Sequence, residues 1–186
     1  MSTYDSDLLA VSRRLLARSS GQRGKLPGAS IRRSLSTTYY ALFHFLVDEA
    51  GLRLIGAHND LRRRRRVLAR NFTHAGMRTA LEKVRGPQLD ISVEDFLRWP
   101  GAPEGRLPSP TFAQSLAKAF LDAQTKRHDA DYDLNKLLTA TDARLTRTRV
   151  KDVIREWRSS NSFEDRDFKN GLCMLMLLKG QLRRET

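Results

Sequence analysis

The residues of this chain best placed by type and spacing to do chemistry are Arg70 and His74, in the run Arg70-Asn71-Phe72-Thr73-His74. If this run lies on one helix, positions four apart share a face, with roughly 6 Å between their β-carbons. A guanidinium that grips a phosphate at two points then stands beside an imidazole that titrates near neutral pH. That pairing suits metal-free cleavage of RNA. His74 would take the proton of a ribose 2′-hydroxyl or protonate the leaving 5′-oxygen, while Arg70 stabilises charge on the phosphorane-like transition state. The structural alternative is a solvated Arg70 and a hydrogen-bonded His74.

Other polar groupings point to structure. In Arg127-His128-Asp129-Ala130-Asp131-Tyr132, Arg127 and Asp131 are spaced to pair, and Tyr132 can bury its ring while its hydroxyl finds a partner. His44, between Phe43 and Phe45, reads as a core histidine. His44, His58, His74 and His128 are scattered at spacings that build no metal site, and no phosphate-binding glycine loop, paired-cysteine zinc site or His-Glu-x-x-His is present. No metal or cofactor is expected. The lone Cys173, among Leu172, Met174, Leu175 and Met176, reads as a buried thiol in a reducing compartment.

The elements that would carry these residues are helical. Asp5 is a plausible N-cap for a first helix bearing Leu8, Val11, Leu15 and Leu16, which fails at Ser19-Ser20-Gly21. A second helix, capped by Ser30, places Ile31, Leu35, Tyr39, Leu42 and Leu46 at steps of three and four, and should end near Ala50-Gly51. Phe43, Phe45 and Val47 widen its apolar stripe, as for the central helix of a bundle. A third helix is expected from Asn59-Asp60-Leu61-Arg62 through Val67, Leu68, Phe72, Leu81 and Val84 to Gly86-Pro87, with a possible bend at Gly76. Residues 86–110, rich in Pro and Gly, read as an irregular loop with a short helical turn between Val93 and Trp99. Loops of that length are often functional or mobile. Ser109-Pro110 opens a fourth helix toward Tyr132, a fifth carries Val150, Val153, Ile154 and Trp157, and Ser162 to Asp165 resembles a capping box before a last helix with Phe168, Leu172, Leu175 and Leu178. No strand is expected.

The 186 residues carry 34 Lys+Arg against 21 Asp+Glu, a formal charge of +13. The excess is concentrated in residues 1–86, with 17 basic and 6 acidic side chains. A field of that sign favours polyanions, nucleic acid first and acidic proteins second. Arg62 to Arg66 span about one and a half helical turns, so they cannot share a face and some must be exposed. Arg62, Arg63, Arg65 and Arg66, with Asn71 and Arg78, are the expected contacts to RNA. The start, Met1-Ser2-Thr3-Tyr4-Asp5, shows no basic segment leading into an apolar run, and the run Leu172 to Leu178 is too short to span a bilayer. A single cytoplasmic domain over residues 1–186, without membrane contact, is expected.

The second helix, Arg32-Arg33-Ser34-Leu35-Ser36-Thr37-Thr38-Tyr39-Tyr40-Ala41-Leu42-Phe43-His44, resembles the Arg-x-Ser/Ala-x-Ser-x-x-Tyr-Tyr-Ala-x-Phe-His helix of many bacterial HEPN proteins. The stretch Arg127 to Tyr132 is similar to an Arg-His-x-Ala-Asp-Tyr segment found in a subset of them. The resemblance covers about 20 residues directly and implies an all-α, up-and-down bundle of four to six helices. It also implies a homodimer acting as a metal-independent endoribonuclease in a toxin-antitoxin or antiphage defence system, with a cognate antitoxin or defence-system protein as partner. The ribonuclease members carry Arg, four to six residues, then His, with a polar residue after the Arg. Arg70-Asn71 with His74 has the polar neighbour and three intervening residues; Arg53 with His58 has four intervening residues and lacks that neighbour. Members without an active pair resemble noncatalytic nucleotide-binding or scaffold modules. In some, a Tyr two places after the His is modified; here that place is Gly76.

Overall fold

A computed structural model describes residues 3–17 and 26–182. The described chain is all-α. Its helices are α1 (Tyr4–Leu15), α2 (Gly28–Ile55), a 3-10 turn (Asn59–Leu61), α3 (Arg62–Ala69), α4 (His74–Glu82), α5 (Glu94–Leu97), α6 (Thr111–Tyr132), α7 (Ala140–Ser159) and α8 (Phe163–Leu177). The only β-type pairing among the described residues is an isolated bridge between Gln88 and Pro108. The chain divides into two compact units, Met1–Phe45 with Ala119–Arg155, and Leu46–Lys118 with Glu156–Thr186.

In the first unit, α2 supplies the core as its periodicity predicts. Leu35, Tyr39 and Leu42 are wholly buried, and Leu16, Ile31, Leu35, Ala130 and Ala143 form one apolar cluster. Helix α1 approaches α2 through small hydroxyl residues. The buried Ser12 Oγ lies 2.8 Å from Ser34 Oγ and 2.6 Å from Thr38 Oγ1, so close packing leaves these polar groups partnered. Thr3, not Asp5, occupies the N-cap of α1, and Asp5 is a buried residue of its first turn. The expected break at Ser19-Ser20-Gly21 lies outside the described residues.

Arg32 holds the other end of this unit. Its guanidinium donates to five main-chain carbonyls, those of Asp129 and Ala130 in the last turn of α6 and those of Asp133, Leu134 and Lys136 in the turn that follows. Arg127 pairs with Asp131 at 2.8 Å as its spacing predicts, and donates to the Tyr40 hydroxyl. The Tyr132 ring is 64% exposed, which corrects the expectation of a buried ring; it lies beside the Arg127 guanidinium and the His128 imidazole. His44 is half-buried among the rings of Tyr4, Tyr40 and Phe43, and burial lowers its pKa. At the start of α7, Thr139 Oγ1 accepts from the Asp142 amide while Asp142 Oδ2 accepts from Thr139.

In the second unit, α2 continues past Gly51 and stops at Gly56, whose φ of +104° suits glycine. Gly51 lies inside the helix with the Arg65 stem alongside it, where a β-carbon would make ordinary contact at 3.4 Å. Glu49 accepts from the Trp157 indole at 2.8 Å and from Arg53 at 3.2 Å. Lys169 is fully buried and donates to the Trp157 and Ser160 carbonyls, so a cation covers the end of α7, and burial lowers its pKa. One turn on, the Cys173 thiol is buried and pushed up to about 12 by desolvation. The Ser162–Asp165 capping box opens α8 as the sequence predicts.

Residues 86–110 are ordered around one carboxylate. The side chain of Glu94, 8% exposed, receives Arg98, Arg106 and the Leu107 amide, while Leu89, Val93, Leu97 and Leu107 pack inward. The helical turn expected near Val93 to Trp99 is α5. Ser109 donates to the Val84 carbonyl, which ties the segment to the end of α4 before α6 begins.

Candidate nucleic-acid interface

The continuous third helix expected from residue 59 to residue 86 is in fact three pieces, and the breaks decide where its functional residues point. The 3-10 turn leads into α3, which ends at Arg70. Phe72 is buried and draws the chain inward, and Thr73 then caps α4 by accepting from the Gly76 amide at 3.1 Å. Arg70 therefore closes one helix and His74 opens the next. The single-helix, four-residue geometry assumed for the pair does not exist. Arg70 is exposed, whereas His74 is half-buried and has a partner within the chain.

On α3, about 100° separates successive residues, and the five consecutive arginines divide accordingly. Arg65 turns inward. Its stem passes Gly51, and its guanidinium donates to the carbonyls of Gly56 at 2.5 Å and His58 at 2.9 Å. It holds the end of α2, a local reason for an arginine there that is independent of any ligand. Arg62, Arg66 and Arg70 recur at every fourth position and form an outer row, with Arg63 flanking it. These four and Arg64 are exposed and make no ion pair with a described residue. The first turn of α3 contains no acidic residue. Arg62 therefore opposes the helix dipole, and the 62–66 and 66–70 pairs repel. Arg78 is different: it is paired with Glu82 at 3.0 Å on α4.

Beside this row lies an open groove of about 420 Å³, lined by Ile55, Val67, Leu68, Arg63, Arg64 and Asn71. Val67 is 58% exposed within it. The Asn71 side chain donates to the Val67 carbonyl at 3.0 Å, which orients its amide and leaves Oδ1 available. Nothing in the sequence marked Ile55, Val67, Leu68 and Arg64 as a site. The only trace was Val67 and Leu68 standing one turn after Arg63 and Arg64.

Arg53 and His58, the other Arg/His pair, are given separate partners. Arg53 is held by Glu49, the Asn170 amide and the face of Trp157. His58 is exposed beyond Gly56, with Asp60 Oδ2 at 3.2 Å. Among the described residues, no group of three or more His, Cys, Asp or Glu is placed to hold a metal ion, and no helix is long and apolar enough to cross a membrane. Comparison with known proteins finds no matching family model, no matching curated protein and no matching solved structure.

Proposed function

We propose that this chain is an RNA-binding protein of the HEPN type, which grips phosphates through the arginine row of α3. The single observation that carries the reading is the row itself. Exposed guanidiniums stand at successive turns of one short helix without carboxylate partners, an arrangement that weakens the isolated helix and that a polyanion relieves. The two segments similar to HEPN proteins support the family assignment, and an all-α chain is compatible with the bundle that family implies. Direct contact falls to Arg62, Arg63, Arg66 and Arg70; Arg65 supports the face from behind. The test is binding of single-stranded RNA by an Arg62→Gln/Arg66→Gln/Arg70→Gln variant across salt. For single strands the slope of log K against log salt is about −0.7 per phosphate neutralised, so losing three contacts should reduce it by about 2. An unchanged slope sinks the assignment of the row.

A second reading, metal-independent cleavage, is favoured by one observation: the unpaired Arg70 ends the phosphate-gripping row and His74 starts the next helix four residues on. In this reading a homodimer brings two such junctions together, Arg70 stabilises the phosphorane and His74 moves the proton. The same reading places the chain in a toxin-antitoxin or antiphage system with a cognate protein partner. Wild-type protein and His74→Ala are compared on mixed cellular RNA with EDTA present. Equal rates leave the binding function and remove the catalytic one.

A further inference from the structure

The groove beside the arginine row suggests what part of the ligand lies next to the phosphates. We propose that it holds one unpaired nucleobase of the bound strand, an inference that rests on the RNA-binding reading. The helical geometry sets the relation. Arg63 and Val67 stand one turn apart beside the Arg62–Arg66–Arg70 row, Arg64 and Leu68 form the next row, and Asn71, in the turn after α3, bonds back to the Val67 carbonyl. A strand whose phosphates follow the outer row has its bases within reach of the groove.

The lining matches a base better than it matches the alternatives. A base has two apolar faces and a polar edge. Ile55, Val67 and Leu68 provide an aliphatic floor for a face, Arg64 provides a guanidinium plane that stacks on a base, and Arg63 stands at the edge between groove and phosphates. Asn71, held by its bond to the Val67 carbonyl, still offers Oδ1 and one amide proton, a donor and acceptor pair suited to a base edge. An aliphatic side chain from an acidic protein would use the floor and leave that amide unmatched. A double helix turns its base faces inward and presents none to the groove. At about 420 Å³ the space is within the range of small-molecule sites.

The experiment measures fluorescence anisotropy of a labelled single-stranded RNA of about 12 nucleotides, the same strand without bases, and inorganic polyphosphate, on wild type and Val67→Ser. Val67 is 58% exposed, so the substitution should leave thermal unfolding unchanged, which is checked in parallel. Wild type should bind the intact strand about fivefold more tightly than the abasic one, the low end of what one stacked base contributes. Val67→Ser should close that gap while polyphosphate affinity stays the same. Equal binding of intact and abasic strands by wild type overturns the base site and leaves the phosphate row standing. The site is equally overturned if Val67→Ser weakens polyphosphate as much as RNA. If neither strand nor polyphosphate binds, the RNA reading itself fails. A Val67-dependent complex with a Leu/Glu amphipathic peptide, formed where the strand does not bind, assigns the groove to a protein partner and overturns the proposal.

Discussion

Arg65 and Arg66 are adjacent, have the same chemistry, and should behave oppositely when each is replaced by Gln. Arg65 donates to two carbonyls at the end of α2, at 2.5 and 2.9 Å, from a half-buried position. A hydrogen bond from a charged group contributes ~1.5–3 kcal/mol when protected from water. Discounted for the solvent that reaches this site, the pair contributes about 2 kcal/mol, and Arg65→Gln should lower Tm by about 4–8 °C in a chain of this size. Arg66 makes no ion pair with a described residue and stands four positions from both Arg62 and Arg70. Its removal relieves two repulsions of ~0.2–0.5 kcal/mol each and forfeits a comparable attraction to the dipole at the last turn of α3. Arg66→Gln should therefore leave Tm nearly unchanged. In RNA titrations from about 50 to 200 mM salt the order reverses: Arg66→Gln should flatten the salt slope by about 0.7, while Arg65→Gln should not alter it. Thermal unfolding followed by circular dichroism and anisotropy titration read the two effects. A wild-type Tm for Arg65→Gln, or equal slope changes in the two variants, would refute the division of α3 into an inner and an outer face.

Three further outcomes follow from the surroundings of individual residues. Burial among Tyr4, Tyr40 and Phe43 lowers the His44 pKa below its ordinary 6.5, so the unfolded chain takes up this proton at higher pH than the folded one. Stability should therefore fall as pH drops from 6.5 toward the folded value, and His44→Gln should lose less Tm than wild type between pH 7.5 and pH 5. A melting series that is parallel for the two proteins contradicts this. Gly180 has φ of +69°, and a β-carbon there would lie 2.9 Å from the Ala80 amide nitrogen, so Gly180→Ala should cost about 1–3 kcal/mol in denaturant titration; a loss under half a kcal/mol would be inconsistent with that packing. Cys173, buried and with its thiol pushed up to about 12, should resist iodoacetamide in the native protein and react once the chain is unfolded in guanidinium, as read by mass spectrometry.

What the sequence determined by itself was whatever depends on neighbours along the chain. The spacing of Ile31, Leu35, Tyr39 and Leu42 made α2 a core helix, the Ser162–Asp165 pattern marked the start of α8, and Arg127 met Asp131 four residues on. An all-α chain follows from such periodicity, because every element declares its own repeat. The tertiary structure alone decided which of five identical arginines faces inward, since that depends on the Gly56 and His58 carbonyls, presented by the turn that follows α2. It also decided that burial of Phe72 and the Thr73 cap end one helix and begin another between Arg70 and His74, where apolar spacing alone ran on unbroken. The groove along Val67 and Asn71 takes part of its lining from Ile55, the last residue of α2, as well as from α3. Contacts of that kind join residues distant in sequence, and they leave no period in the sequence from which to be read.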